Sequence, residues 1–360
     1  MPRPPFLLAR TSIAPALALL SCLASPACSG SNASSNVTGG DAAPDVAIED
    51  TTPAEVVADT PDPSGPPYPI VLVHGMGGFE QLKVVDLQYF SGVKADLAAH
   101  GESAVYTPLT DPYNTSEIRA GQLATQIDQI LKSTGKSKVN LIGHSQGGMD
   151  ARVLVSPNGL GYGDRVATVT TISTPHQGSQ VADIAMKLLG GLPQSTVDGV
   201  TNALLGLLQE TVYDISDAGN PAIRAQALEL SEHNMVTSFN PKYTDDPRVA
   251  YFSYAGRSDD LDGNPDCLSA LYPDDPTKLD DGQALLKPLM EYLKDGTNDK
   301  PNDGLVTVQS ARWGTFLQCV PADHLSECGL IGINGVNPKS GFDHLVFFRT
   351  VVQRVRDRGY

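Results

Sequence analysis

The run Gly143-His144-Ser145-Gln146-Gly147 lies between the short apolar stretch Val139-Asn140-Leu141-Ile142 and a segment that reads as a helix. A G-x-S-x-G run in that setting demands a strand that breaks sharply into a helix, with the serine at the break. A chain built around such a turn needs further strands beside it. Pro69 to Val73, Val166 to Ile172 and Val249 to Ala255 are short runs rich in β-branched or aromatic residues. Each reads as a buried strand. Between the first two, Leu123, Ile127, Ile130 and Leu131 recur at helical spacing, and Gly135 stands where a C-cap belongs. Strands alternating with helices give an α/β fold, a mainly parallel sheet with helices on both faces.

Crowding at the turn explains the motif. Neighbours without side chains let the Ser145 hydroxyl project from the sheet edge, which makes it the candidate nucleophile. The Gln146 amide then points at any oxyanion that develops there. His74-Gly75-Met76-Gly77-Gly78 ends the first strand, and its glycines let the backbone approach a ligand, so the Met76 amide is the second candidate donor. A phosphate cradle fits less well, because Phe79 and Glu80 break the G-x-G-x-x-G pattern.

A nucleophilic serine needs a base, and the base needs an orienting acid. In this type of chain the order is Ser, acid, His. Asp303, in Asn302-Asp303-Gly304-Leu305-Val306, stands at a turn beside an apolar, strand-like run, and only His324 and His344 follow it. His344 leads into Val351, Val352 and Val355, a terminal helix, and reads as a cap or surface residue. His324 lies in a Pro-containing loop after the run Trp313 to Leu317, where a base can reach over a strand end. His74 and His144 read as residues that pack or orient the oxyanion loops, and His176 as an anchor for the loop leading on from Ser173.

Two amphipathic helices are expected between Val181 and Leu208, marked by Val181, Ile184, Ala185, Leu188 and Leu189, then Val197, Val200, Leu204 and Leu208. They suit sheet-covering helices or a mobile cap over the site, with residues 181–235 as the whole excursion.

Of the 360 residues, those between Thr11 and Pro67 include no Lys or Arg but seven acids, Asp41, Asp45, Glu49, Asp50, Glu55, Asp59 and Asp62. That tract carries −7 of the net −16, and its Ser, Gly, Pro and Ala content cannot bury enough apolar surface to order it. Residues 29–66 therefore read as a disordered linker and 67–360 as the catalytic domain. Upstream, Arg3 and Arg10 precede the apolar stretch Ile13 to Leu20, too short to span a bilayer, so residues 1–28 read as an export signal. Leu19-Leu20-Ser21-Cys22 resembles a lipoprotein cleavage box, which makes Cys22 the expected lipid attachment point and implies membrane association through an N-terminal lipid. Export permits disulfides. Cys267, Cys319 and Cys328 allow three single bridges, with Cys267–Cys319 favoured because closing a long loop constrains the unfolded chain. The acidic balance argues against nucleic acid as a partner.

Taken together, Tyr68 to Met76, Gly143 to Gly148, Ser173 to Ser179 and Asn302 to Val306 resemble the bacterial triacylglycerol lipases of the Pseudomonas and Burkholderia type. The resemblance implies an α/β-hydrolase fold with a helical lid, acting on acylglycerols or other esters at a lipid–water interface, without an organic cofactor. It matches Ser145, Asp303 and His324 to the triad, and Met76 and Gln146 to the oxyanion hole. The family also carries a structural calcium, held partly by an Asp two residues after the catalytic His. Here Ser326 stands at that position, while Asp281 falls where another ligand carboxylate belongs, so weak calcium dependence is expected. Rival readings with the same machinery are a polyester or polyhydroxyalkanoate depolymerase and a general carboxylesterase. A rival of another class is a lipid-binding surface protein without catalysis.

Overall fold

Ile70–Val73 (β1) carries alternating apolar side chains that are all buried, Ile70 and Leu72 toward one face, Val71 and Val73 toward the other. Only a strand covered on both sides tolerates that pattern. The computed structural model describes residues 63–78, 81–82, 87–189, 221–258, 286–294, 300–330 and 336–360. These all fall within one unit, Asp59–Tyr360. The signal, Cys22, nearly all of the linker, Cys267, Asp281 and residues 190–220 of the expected lid lie outside the described residues. At the end of the expected linker, Ser64 and Gly65 already accept hydrogen bonds from Ser137 and Lys136.

After a small antiparallel pair, Gln81–Leu82 (β2) with Leu87–Gln88 (β3), come α1 (Val93–Ala99), β4 (Val105–Tyr106) and α2 (Ser116–Thr134). Next come β5 (Val139–His144), α3 (Gln146–Val155), β6 (Val166–Ile172) and α4 (Gln180–Leu189). The chain resumes with α5 (Pro221–Glu229) and, after short helical turns, β7 (Ala250–Gly256), α6 (Lys287–Lys294), α7 (Val308–Ala311), β8 (Thr315–Val320) and α8 (His344–Arg356). Six strands form one sheet in the order β4-β1-β5-β6-β7-β8, parallel throughout. Leu123 and Ile127 of α2 and Met149 of α3 pack with Val71, Val73 and Leu141 on one face. On the other, α1, α6 and α8 pack with Ile70, Leu72 and Ile142.

Local chemistry sets the element ends. Gly135 closes α2 in the left-handed region at φ 69°, with its N–H on Leu131 O. At the other end Thr115 offers no side-chain cap; instead the Glu229 carboxylate accepts the Ser116 N–H. The strand-like reading of Leu305-Val306 is corrected. Asp303 Oδ1 accepts both their N–H groups, at 2.9 and 2.7 Å, which bends the chain into a turn.

The strands run parallel, so their carboxyl ends share one edge. His74 to Met76 follow β1 there, Ser145 follows β5, Ser173 and Thr174 follow β6, and His324 lies shortly past β8. In open parallel sheets ligands bind at this edge.

Candidate active site

Ser145 has φ 54° and ψ −131°, a strained backbone for a residue with a side chain. Two contacts hold it there. A Cβ on Gly147 would stand 2.2 Å from Val73 O, so only glycine lets α3 start hard against the end of β1. Ser145 N–H donates to Ile172 O at 2.9 Å, tying the turn to β6. On the other side a Cβ at Gly75 would come within 2.7 Å of Ser145 Cβ. The loop after β1 therefore lies directly against the serine. Among the described residues, neither the Met76 amide nor the Gln146 amide donates to another protein group.

Asp303 is fully buried, and its Oδ2 lies 2.7 Å from His324 Nδ1. Its Oδ1 is held by the turn, and its carbonyl accepts the His324 N–H at 3.0 Å, so acid and histidine are joined twice. With Nδ1 committed to Asp303, Nε2 is left for proton transfer. The His324 ring packs on that of His144, the residue before Ser145, with centroids 4.6 Å apart. The structure thus brings together the acid, the histidine and the end of β5 that bears the serine. His344 stands elsewhere: it opens α8, its Nε2 bonds Ser91 O at 2.8 Å, and it is buried rather than a surface residue. Asp343, one residue earlier, is the cap, accepting the N–H groups of Leu345 and Val346.

Three further histidines, His144, His74 and His176, are buried in structural contacts. His144 Nδ1 lies 2.7 Å from the Tyr89 hydroxyl, and its Nε2 lies 3.2 Å from Glu327 Oε2. Burial, then the nearby His324, push its pKa well below the usual value, so it stays neutral. His74 Nε2 accepts the Thr110 N–H, so Nδ1 carries the proton toward Gly75 O, 2.9 Å away. Burial and the Arg119 charge take its pKa down to about 3. His176 stacks on Trp313 and accepts Asn240 Nδ2–H at its carbonyl, anchoring the loop after β6.

Several site residues escape the sequence reading. Gln226 of α5 donates to Gln146 Oε1 at 2.6 Å and to Pro112 O at 3.2 Å. Glu327 accepts the Ser173 hydroxyl at 2.7 Å. Arg119 and Asp150 form an ion pair with both side chains fully buried. Arg119 had a signal, since it precedes Leu123 by four residues on the buried stripe of α2. Glu327 had none.

Cys319 is disulfide-bonded and Cys328 is free and buried; the favoured partner Cys267 lies outside the described residues. Among the described residues, the group of side chains able to hold a metal is His144, His324 and Glu327. Two imidazoles and one carboxylate are the wrong donor set for calcium, which takes several oxygens.

The family model described as alpha/beta hydrolase fold matches residues 68–262. A triacylglycerol lipase of Vibrio cholerae is 29% identical over 306 residues, which cover 81% of this chain and 88% of that protein. A triacylglycerol lipase of Burkholderia plantarii is 36% identical over 180 residues, 48% of this chain and 47% of that one. A triacylglycerol lipase of Pseudomonas fragi is 40% identical over 184 residues, 49% and 57% of the two chains. Among solved structures, mature Bacillus licheniformis lipase BlEst2 superposes with a TM-score of 0.52 at 22% identity, covering 81% of this chain and 94% of that one. The metagenomic carboxyl esterase MGS0156 gives 0.54 at 17%, covering 82% and 76%.

Proposed function

Because the chain belongs to the alpha/beta hydrolase fold family, and its relatives are lipases, we propose that it is a carboxylic ester hydrolase, a triacylglycerol lipase working through an acyl-enzyme on Ser145. The observation that carries this reading is the Asp303–His324 pair at 2.7 Å, set against the residue that precedes the strained Ser145. His324 Nε2 takes the Ser145 hydroxyl proton as Oγ attacks the ester carbonyl carbon. Asp303 holds the imidazole in the required tautomer and balances the imidazolium. The Met76 and Gln146 amides receive the oxyanion. His324 then returns the proton to the departing alcohol, and water repeats the sequence to release the acid. No organic cofactor enters these steps.

Acylglycerol at a lipid–water interface is the preferred substrate over polyester or small soluble esters, on the strength of the lipase relatives. Labelling by a fluorophosphonate, lost in Ser145→Ala, tests the nucleophile. Zymography on emulsified triolein, tributyrin and a polyester tests the substrate class, and clearing of polyester alone would sink the lipase reading.

The same reading extends to the N-terminus. The protein is exported, Cys22 carries lipid, and the acidic Pro-rich tract tethers the catalytic domain off the membrane. Fractionation should find the wild type in membranes and Cys22→Ala misplaced or unprocessed. Wild-type protein free in the medium, with a mature N-terminus past Cys22, would overturn the anchor.

A further inference from the structure

An oxyanion hole made of backbone amides depends on how those peptide planes are held. In a trans peptide the C=O and N–H point in opposite directions within one plane. Whatever grips the carbonyl therefore aims the amide. The Met76 amide shares its peptide with the Gly75 carbonyl, and the Gln146 amide shares its peptide with the Ser145 carbonyl. Both carbonyls are gripped by side chains outside the triad.

Arg119, from α2, is fully buried. Its Nη2 donates to His74 O at 2.7 Å and to Gly75 O at 3.3 Å, an oxygen it shares with His74 Nδ1 at 2.9 Å and the Gly78 N–H at 3.3 Å, and its Nη1 donates to Asp111 O at 2.6 Å. Its Nε donates to Asp150 Oδ2 at 2.8 Å, and Asp150 belongs to α3, the helix that begins at Gln146. One guanidinium thus joins the loop of the first donor to the helix of the second. On the other side, Thr174, fully buried in the segment after β6, donates its hydroxyl to Ser145 O at 2.7 Å. The Gly148 N–H reaches the same oxygen at 3.1 Å.

We propose that Arg119 and Thr174 are positioning residues for the oxyanion hole, each holding one of its two peptides by the carbonyl so that the amide faces the developing charge. This rests on reading Met76 and Gln146 as the donors. A lysine cannot replace Arg119, because the guanidinium serves three carbonyls and a carboxylate from one planar fork. Each grip also polarises its peptide, which strengthens the opposite N–H as a donor. Neither side chain meets the substrate, so the loss should fall on turnover and leave binding alone.

Thr174→Val keeps the shape and removes the hydroxyl, so it is the cleaner variant. It should lower kcat about tenfold, the scale of one lost hydrogen bond, with KM within about twofold of wild type. Thr174→Ser, which keeps the hydroxyl, should recover most of that turnover. Arg119→Lys should lower kcat by a larger factor, about a hundredfold, since several bonds go together. If that variant does not fold, Thr174→Val still decides. The readout that a merely structural role would not move is the rate ratio between an ester and its thionoester, whose charge develops on sulfur, a weak acceptor. Wild type should prefer the ester strongly, and the ratio should shrink in Thr174→Val. Strong discrimination in wild type with an unchanged ratio in Thr174→Val would overturn the positioning role alone. A wild-type ratio near one would overturn the donor assignment and the proposal with it.

Discussion

The rings of His144 and His324 lie 4.6 Å apart, so the residue before the serine touches the histidine paired with Asp303. Two charged imidazoles at that distance would repel, and the first is kept neutral by burial and by its neighbour. Tyr89 and Glu327 flank it, and Tyr89 is itself pushed well above the usual phenol range by burial. His144 therefore adds no protonation step of its own at the site. The acid limb of kcat/KM against pH should follow a slope of one. A slope of two, with substrate and fold unchanged over that range, would show that His144 takes up a proton after all.

The two histidines after Asp303 should separate cleanly. His324→Ala removes the ring paired with Asp303, and turnover should fall by at least about a thousandfold while the protein stays folded. His344→Ala removes a bond between α8 and Ser91 O, so it should lower the melting temperature and spare turnover. Circular dichroism melts beside steady-state rates decide it; normal turnover in His324→Ala would end the assignment.

The strands and α2 were legible because their signals are local. Val166 to Ile172 is continuous apolar and β-branched sequence and forms β6 over the same residues, and Gly135 marks the α2 end. Ser145 was legible because its turn forces a spacing of glycines. The supporting residues were not, because their meaning lies in partners far along the chain. Arg119 meets Asp150 across 31 residues, Tyr89 meets His144 across 55, and Ser116 meets Glu229 across 113. Charges on an amphipathic helix read as a solvated face until the fold buries them. The turn at Asp303 misled for a related reason: one carboxylate captured two N–H groups that the apolar pattern had assigned to a strand.

Calcium removal should matter little. Ser326 replaces a carboxylate of the expected ligand set, and its N–H is bound to Asp323 Oδ1 at 2.8 Å. Excess chelator should leave the melting temperature within about 2 °C, a stability change of no more than roughly 1 kcal/mol at this chain length. A large drop that added calcium restores would show that Asp281 and other oxygens still make the site.

Glu229 should make stability fall as pH rises. Its carboxyl is pushed up to about 7, first by burial, with Asp150 and Glu117 adding to the rise against the Ser116 hydrogen bonds. The unfolded group ionises near its ordinary 4.5 while the folded one holds its proton longer. Between those values the native state binds more protons, so stability declines with pH and levels off above about 7. Glu229→Gln should remove that slope, an effect on the order of 3 kcal/mol between pH 4.5 and pH 8. Melting curves of both proteins across that range check it, and parallel curves would refute it.

The last prediction concerns α4 and its connection to α5. Val181 and Ala185 of α4 are buried, and Ile184 and Met186 pack against the same core. Beyond Leu189 the expected lid continues through Val197, Val200, Leu204 and Leu208, outside the described residues. Farther on, α5 is fastened to the site by Gln226 on Gln146 and by Glu229 on Ser116. If an apolar cap lies between these two fixed helices, its inner face covers the site in water and meets lipid at an interface. Activity should then rise sharply once substrate passes its solubility limit and forms droplets. Replacing Val197, Val200 and Leu204 together by Ser should flatten that rise while sparing hydrolysis of a soluble short-chain ester. Hyperbolic kinetics straight through the solubility limit in the wild type would rule the cap out.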